Sequence, residues 1–134
     1  MRKSPYEVRV HVANDDVPNL FRDCLCSGSI GFGSLRIEYT SEDYQEAKQV
    51  LLERKPDQTI CWEDVITEIL NLGFYLTFVD VEDDTKYKVN LQTIRNNVPA
   101  IQFRDMNAMM NERDDAITHD CILQCLILGD VIYG

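Results

Sequence analysis

No apolar run in this chain approaches the roughly 18 residues that span a bilayer. The densest, Cys121 to Leu128, is interrupted by Gln124. The opening Met-Arg-Lys-Ser-Pro-Tyr has no apolar stretch behind it, so no signal peptide is visible. Cations are scarce: 13 Lys/Arg stand against 23 Asp/Glu, for a formal net charge of −10. Phosphate affinity grows with basic contacts, so direct nucleic-acid binding is not expected. Arg2, Lys3, Arg9, Arg22 and Arg36 offer a minor basic option, opposed by Glu7 and Glu38. The chain has no internal repeat and no low-complexity tract. Histidine occurs twice and cysteine five times. An odd cysteine count without an export signal points to free thiols in a reducing, cytoplasmic setting.

What is present is enough for one domain. A chain of 134 residues buries about two-thirds of its unfolded surface, so it needs neither disulfide nor metal to fold. Apolar content of 45% argues against disorder. The charge is unevenly placed. Residues 1–55 hold eight Lys/Arg and nine Asp/Glu, a net −1, whereas residues 56–134 hold five and fourteen, a net −9. Such a segment repels nucleic acid and anionic membranes and attracts basic protein surfaces.

Periodicity sets the expected elements. Val8, Val10 and Val12 alternate with Glu7, Arg9 and His11, predicting a half-buried strand over 7–13. Pro18 to Cys26 reads as a short helix. Ser27 to Ser34 reads as a flexible turn. Leu35, Ile37 and Tyr39 predict a strand over 35–39. Ser41 is expected to cap a helix over 42–54 that Pro56 stops. Trp62, Val65, Ile66, Ile69 and Leu70 sit at i, i+3, i+4, i+7 and i+8, the clearest helix, over 62–72, with Gly73 past its end. Strands over 74–81 and 87–91 flank the turn Glu82-Asp83-Asp84-Thr85 as a hairpin. Asn90 can cap a short helix to Asn97. Ala100 to Arg113 fits either a helix or a loop. The last helix is predicted over 115–128. The expected fold is α+β: a four-stranded antiparallel or mixed sheet packed by about three main helices, as a single domain over 1–134. Trp62, Ile66, Ile69, Phe78, Val89 and Leu123 are the expected core.

Few constellations carry chemistry. Asp80, Glu82, Asp83 and Asp84 fall within five residues, and Glu112, Asp114 and Asp115 follow later. These seven are the candidate partner-binding residues, a negative surface that docks on Lys/Arg and imitates a phosphate backbone. The competing reading is a solvated turn and a helix N-terminus, both natural homes for carboxylates. The acidic turn lacks the spacing and glycine of a calcium loop. Cys24, Cys26, Cys121 and Cys125 supply four sulfurs with His119 near in sequence, but Cys-x-Cys is a poor zinc knuckle and the other pair lies in an apolar helix. Nothing local pairs a cysteine with His11 or His119 for nucleophilic catalysis. Gly28-x-x-Gly31-x-Gly33 precedes a strand, whereas a phosphate cradle opens a helix. No catalytic residue, metal or cofactor is therefore expected.

The tail from Asp114 to Gln124, with Gly129 to Gly134, resembles the ends of small acidic proteins carried by phages and mobile elements. Leu76 to Glu82, after the helix from Trp62 to Leu72, shares that resemblance, which covers only the part from Trp62 onward. It implies a setting, the bacterial or phage-infected cytoplasm or a virion, and assigns no functional residue. The resulting expectation is a non-enzymatic binding protein acting through its acidic C-terminal half. Its partner would be a protein with a basic surface, and one concrete form is a phage-type inhibitor of a host nucleic-acid-binding protein. The alternatives are a structural subunit that self-associates through its apolar C-terminus, and a small enzyme with a Cys/His or carboxylate site.

Overall fold

Val65, Ile66, Ile69 and Leu70 line one side of a helix, and all four are lost to solvent in the computed structural model, which describes residues 8–27 and 29–134. That helix, Trp62–Asn71, is the third of six α-helices among the described residues. In chain order these are α1 (Val17–Leu25), α2 (Ser41–Arg54), α3 (Trp62–Asn71), α4 (Leu91–Asn97), α5 (Phe103–Met110) and α6 (Ala116–Leu128). Three short 3₁₀ turns, Asn14–Asp16, Gly31–Gly33 and Val98–Ala100, complete the helical content. None of these helices is long and apolar enough to cross a membrane.

The sheet has three strands: β1 (Leu35–Glu38), β2 (Leu76–Asp80) and β3 (Lys86–Val89). They lie in the order β1-β2-β3, antiparallel throughout. Ile37 sits opposite Phe78, which sits opposite Tyr87; Leu35 faces Asp80, and Leu76 faces Val89. Side chains alternate across a strand, so these seven residues share one face. Arg36, Glu38, Thr77, Lys86 and Lys88 take the other.

The α+β class holds, but the expected count of four strands and about three main helices does not: among the described residues there are three strands and six helices. The strand predicted over 7–13 is the error. Residue 7 lies outside the described residues, and residues 8–13 form neither strand nor helix. Val10 is 8% exposed but Val8 is 64% exposed, so the alternation does not produce one buried face. A period-two pattern specifies which way side chains point; it does not supply a neighbouring strand to satisfy the backbone. The extra helices come from places read as short or ambiguous. Pro18 near the start of α1 and the Asn90 cap of α4, whose Oδ1 accepts the Thr93 N–H at 2.9 Å, set two of them. The segment open to either reading supplies α5.

Caps explain the boundaries. Thr40, rather than Ser41, caps α2, its Oγ1 accepting the Asp43 N–H at 3.1 Å. Asp115 caps α6, accepting the Thr118 N–H at 2.9 Å. Gly129 ends α6 at φ 79°, a left-handed position that costs glycine little.

The core gathers around α6, which packs against α1, α4, α5, β3 and the 31–33 turn. Every residue from Asp120 to Ile127 is buried, as expected of a helix apolar nearly all round. Ile66, Ile69, Phe78, Val89 and Leu123 are buried as expected. Trp62 is not: it opens α3, is 37% exposed, and donates its indole N–H to the Tyr39 hydroxyl at 3.2 Å. Its spacing continued the apolar stripe, but it stands at the exposed start of the helix beside Cys61, which is also exposed.

Candidate functional site

The hairpin tip places the four clustered acids in two different roles. Asp80 ends β2 on the core face and is buried. One of its carboxylate oxygens accepts the Glu82 N–H at 2.8 Å, and the other accepts the Tyr133 hydroxyl at 2.7 Å. These bonds, the tyrosine's foremost, hold its carboxyl below the usual carboxylate range. Asp80 is thus an anchor for the C-terminal tail and is not presented to a partner. Glu82, Asp83 and Asp84 are exposed. Asp83 accepts the Thr85 N–H at 2.9 Å, and Asp84 sits at φ 60°, a left-handed position that aspartate tolerates better than most residues. The tip is therefore an ordered turn carrying three outward carboxylates.

The second acidic group precedes α6. Glu112 is exposed at φ 54°. Asp115 is exposed but spends one oxygen on the Thr118 N–H and hydroxyl, which pulls its carboxyl down. Asp114 is half-buried and bonds His119 Nε2 at 2.5 Å, which also lowers its carboxyl. Of the seven candidate residues, Glu82, Asp83, Asp84, Glu112 and Asp115 face solvent, and Asp80 and Asp114 are turned to internal partners.

His119 joins two distant segments. Its Nδ1 bonds the Ser27 hydroxyl and its Nε2 bonds Asp114, so Ser27, His119 and Asp114 form a hydrogen-bonded chain. The side chains are those of a serine nucleophile, base and orienting acid. The setting opposes that chemistry. Ser27 follows the C-terminus of α1, where the helix dipole is negative, and its own N–H is spent on the Cys24 carbonyl at 3.3 Å. An oxyanion needs such a donor free. The chain acts as a tether between α1 and α6. Its sequence separation of 92 residues left no local signal.

The glycine segment is tied down in the same way. Asp120, buried in α6, accepts the Phe32 N–H at 2.9 Å and the Ser29 hydroxyl at 3.1 Å. Phe32 takes φ 53° inside the 3₁₀ turn. Of the segment expected to be a flexible turn, Gly28 lies outside the described residues, and Ser29 and Phe32 are held by the buried carboxylate of Asp120 in α6.

Four of the five thiols are ill suited to nucleophilic or metal chemistry. Burial pushes Cys24 up to about 12 and Cys125 up to about 11. Burial first, then neighbouring carboxylates, raises Cys121, and burial first, then Glu63, raises Cys26. A thiol kept protonated is a poor nucleophile and ligand. His119 partners are oxygens, not sulfur. Among the described residues no three His, Cys, Asp or Glu groups converge as a metal would require.

Sequence reasoning missed a groove at one end of the sheet. It encloses about 840 Å³ between Tyr39, Tyr75, Asp43 and Lys88. Tyr39 stacks on Tyr44 with ring centroids 5.3 Å apart, and the Lys88 ammonium lies 4.4 Å over the Tyr75 ring. The strand register places Lys88 on the outer face, and the tyrosines reach the groove's surroundings from three other segments, which sequence periodicity does not bring together.

No protein-family model matches the chain, and no curated protein or solved structure matches it.

Proposed function

We propose that the protein is a non-enzymatic binding domain that docks on a basic surface of another protein through its acidic C-terminal half. The observation that carries this reading is the hairpin tip, an ordered turn that holds Glu82, Asp83 and Asp84 outward while Asp80 locks its base. Preordered carboxylates lose little entropy on docking, and a field of net −9 over residues 56–134 steers cationic partners. Glu112 and Asp115, also exposed, add to that field. The concrete form is an inhibitor carried by a phage or mobile element that occupies the nucleic-acid surface of a host protein in the cytoplasm.

The competing readings fit less well. The enzyme reading needs a cysteine activated by histidine, or a carboxylate site; Cys24, Cys26, Cys121 and Cys125 are held above the ordinary thiol range, and both ring nitrogens of His119 are bonded to oxygens. The self-association reading uses the apolar C-terminus, yet Ile127 is buried within the subunit and Tyr133 is bonded to Asp80 and Tyr87.

The test begins with affinity capture from host lysate at low and high salt, followed by association kinetics with the captured partner. The variant is Glu82→Gln, Asp83→Asn, Asp84→Asn, which removes charge and keeps side chains suited to this turn. Exposed changes of this kind shift stability by no more than about 0.5 kcal/mol each. The on-rate should fall and its salt dependence weaken, because peripheral charges act mainly on association. An on-rate equal to wild type at both salt concentrations would reduce the tip to a solvated turn.

A further inference from the structure

The groove beside Tyr39 and Tyr75 is bordered by aromatic rings that are fixed in place yet left open to solvent. Tyr39 is 37% exposed and Tyr75 is 48% exposed. Tyr44 stacks on Tyr39, and the Trp62 indole donates to the Tyr39 hydroxyl at 3.2 Å. These two contacts hold the Tyr39 ring before any ligand arrives, which lowers the entropy a ligand must surrender. Glu38, Thr77 and Lys88 stand in one row across the three strands and also line the groove. Its volume of about 840 Å³ lies in the range of binding sites.

The groove already seats one cation. The Lys88 ammonium lies 4.4 Å from the centre of the Tyr75 ring, the arrangement in which the negative face of an aromatic ring attracts positive charge. One of the two lining carboxylates is taken, because Glu38 pairs with Arg36 at 3.1 Å. Asp43 lines the groove from the first turn of α2 and enters no ion pair among the described residues. The Thr40 cap meets the Asp43 backbone N–H and leaves its carboxylate unused. An acid suits a helix start by itself; the open rings and the seated cation beside it are what point to a ligand.

The chemistry selects the occupant. Thr40, Thr77, Asp43 and Lys88 make the lining too polar for an apolar ligand. A nucleotide base could stack on the rings, but its phosphate would meet Glu38 and Asp43 on a chain of net charge −10. A lysine ammonium is compact and strongly hydrated. A guanidinium is flat and more weakly hydrated, and it stacks on an aromatic face while its edge bonds a carboxylate through two nitrogens. The groove is larger than one side chain fills, which leaves room for the chain on either side of it. Free arginine would also bring its own carboxylate toward Glu38 and Asp43.

We propose that this groove binds an arginine side chain carried on a polypeptide, with its guanidinium stacked on the exposed tyrosines and paired with Asp43. Lys88 is the resident cation that the guanidinium displaces from Tyr75. The groove lies at the end of the sheet away from the turn at Glu82 to Thr85, so this site does not rest on the reading of that turn.

The experiment is a titration of the ¹⁵N-labelled protein with the blocked peptide acetyl-Gly-Arg-Gly-amide, followed by amide chemical shifts. The same peptide with citrulline keeps the shape and removes the charge; the lysine peptide keeps the charge and changes the shape; free L-arginine tests the need for a polypeptide. Saturable shifts are expected over residues 37–43 and 73–77 and at Lys88. The lysine peptide and free arginine should bind at least threefold more weakly, and the citrulline peptide at least tenfold. Asp43→Asn should weaken binding about tenfold, the worth of one charge-assisted bond. Tyr75→Leu should weaken it about fivefold. Lys88→Gln should instead tighten it at least twofold, since it removes the competing cation. Lys88 and Tyr75 are exposed, so neither change threatens the core, and these two carry the test should Asp43→Asn unfold. The proposal is overturned by no saturable shift with the arginine peptide, by equal binding of any of the three comparison ligands, or by weaker binding to Lys88→Gln. Shifts centred on residues 82–84 would assign the arginine to the acidic turn and overturn this site alone.

Discussion

Gln124 is the only fully buried amide side chain at the heart of α6, and replacing it with methionine should release the C-terminal tail. Its Nε2 donates to Asp120 at 2.9 Å and to the Tyr133 carbonyl at 2.8 Å. Its Oε1 accepts the N–H groups of Ile132 at 2.9 Å and Tyr133 at 2.8 Å. One side chain therefore satisfies three backbone groups of a segment with no ladder of its own. Methionine preserves length and packing and makes none of these bonds. Each bond contributes a net of about 0.5–1.5 kcal/mol. The tail can lift and regain water, so the expected loss lies toward the lower part of the sum, about 2–4 kcal/mol. For a chain of this size that corresponds to a fall in Tm of about 6–16 °C. Circular-dichroism melts read it directly, and hydrogen exchange should show the Ile132 and Tyr133 amides losing protection first. Tyr133→Phe removes the bond to Asp80 and frees the same tail, so the double variant should lose less than the two singles together. A loss under about 1 kcal/mol, with those amides still protected, would refute the view that Gln124 holds the tail.

Two further outcomes follow from burial. Asp105 is buried, one of its oxygens has no partner, and burial raises its carboxyl above the usual range. A carboxyl raised in the folded state favours folding while protonated and loses that contribution as pH rises through its folded value. Asp105→Asn should therefore be the more stable protein at neutral pH and lose the advantage in acid; chemical unfolding across pH checks this, and identical profiles would refute it. Cys26 and Cys61 are exposed, whereas Cys24, Cys121 and Cys125 are buried. A chromogenic thiol reagent near pH 8 should titrate two thiols quickly and three only on unfolding, and five fast thiols would contradict the packing described.

Much of the chain was legible because local chemistry acts over a few residues. The stripe of Val65, Ile66, Ile69 and Leu70, the turn at Glu82 to Thr85, the Asn90 cap and Gly129 each needed only neighbours within about one helical turn or one hairpin. The strand expected over 7–13 misled because alternation records facing alone, and strand formation depends on an available edge. Trp62 misled because a helical stripe does not reveal how far the covering elements extend.

The acidic C-terminal half, the α+β class and most helix boundaries were determined by the sequence itself, through charge count, periodicity and caps. Which carboxylates face solvent was decided only by tertiary structure. Asp80 and Asp84 lie four residues apart in one acidic run, yet the first is buried and bonded by Tyr133 and the second is exposed. Likewise Ser27 meets His119 through packing of α1 against α6. Such pairings depend on distances between segments far apart in the chain, which composition and period do not encode. The free energy of a buried polar group depends on the partner that arrives there.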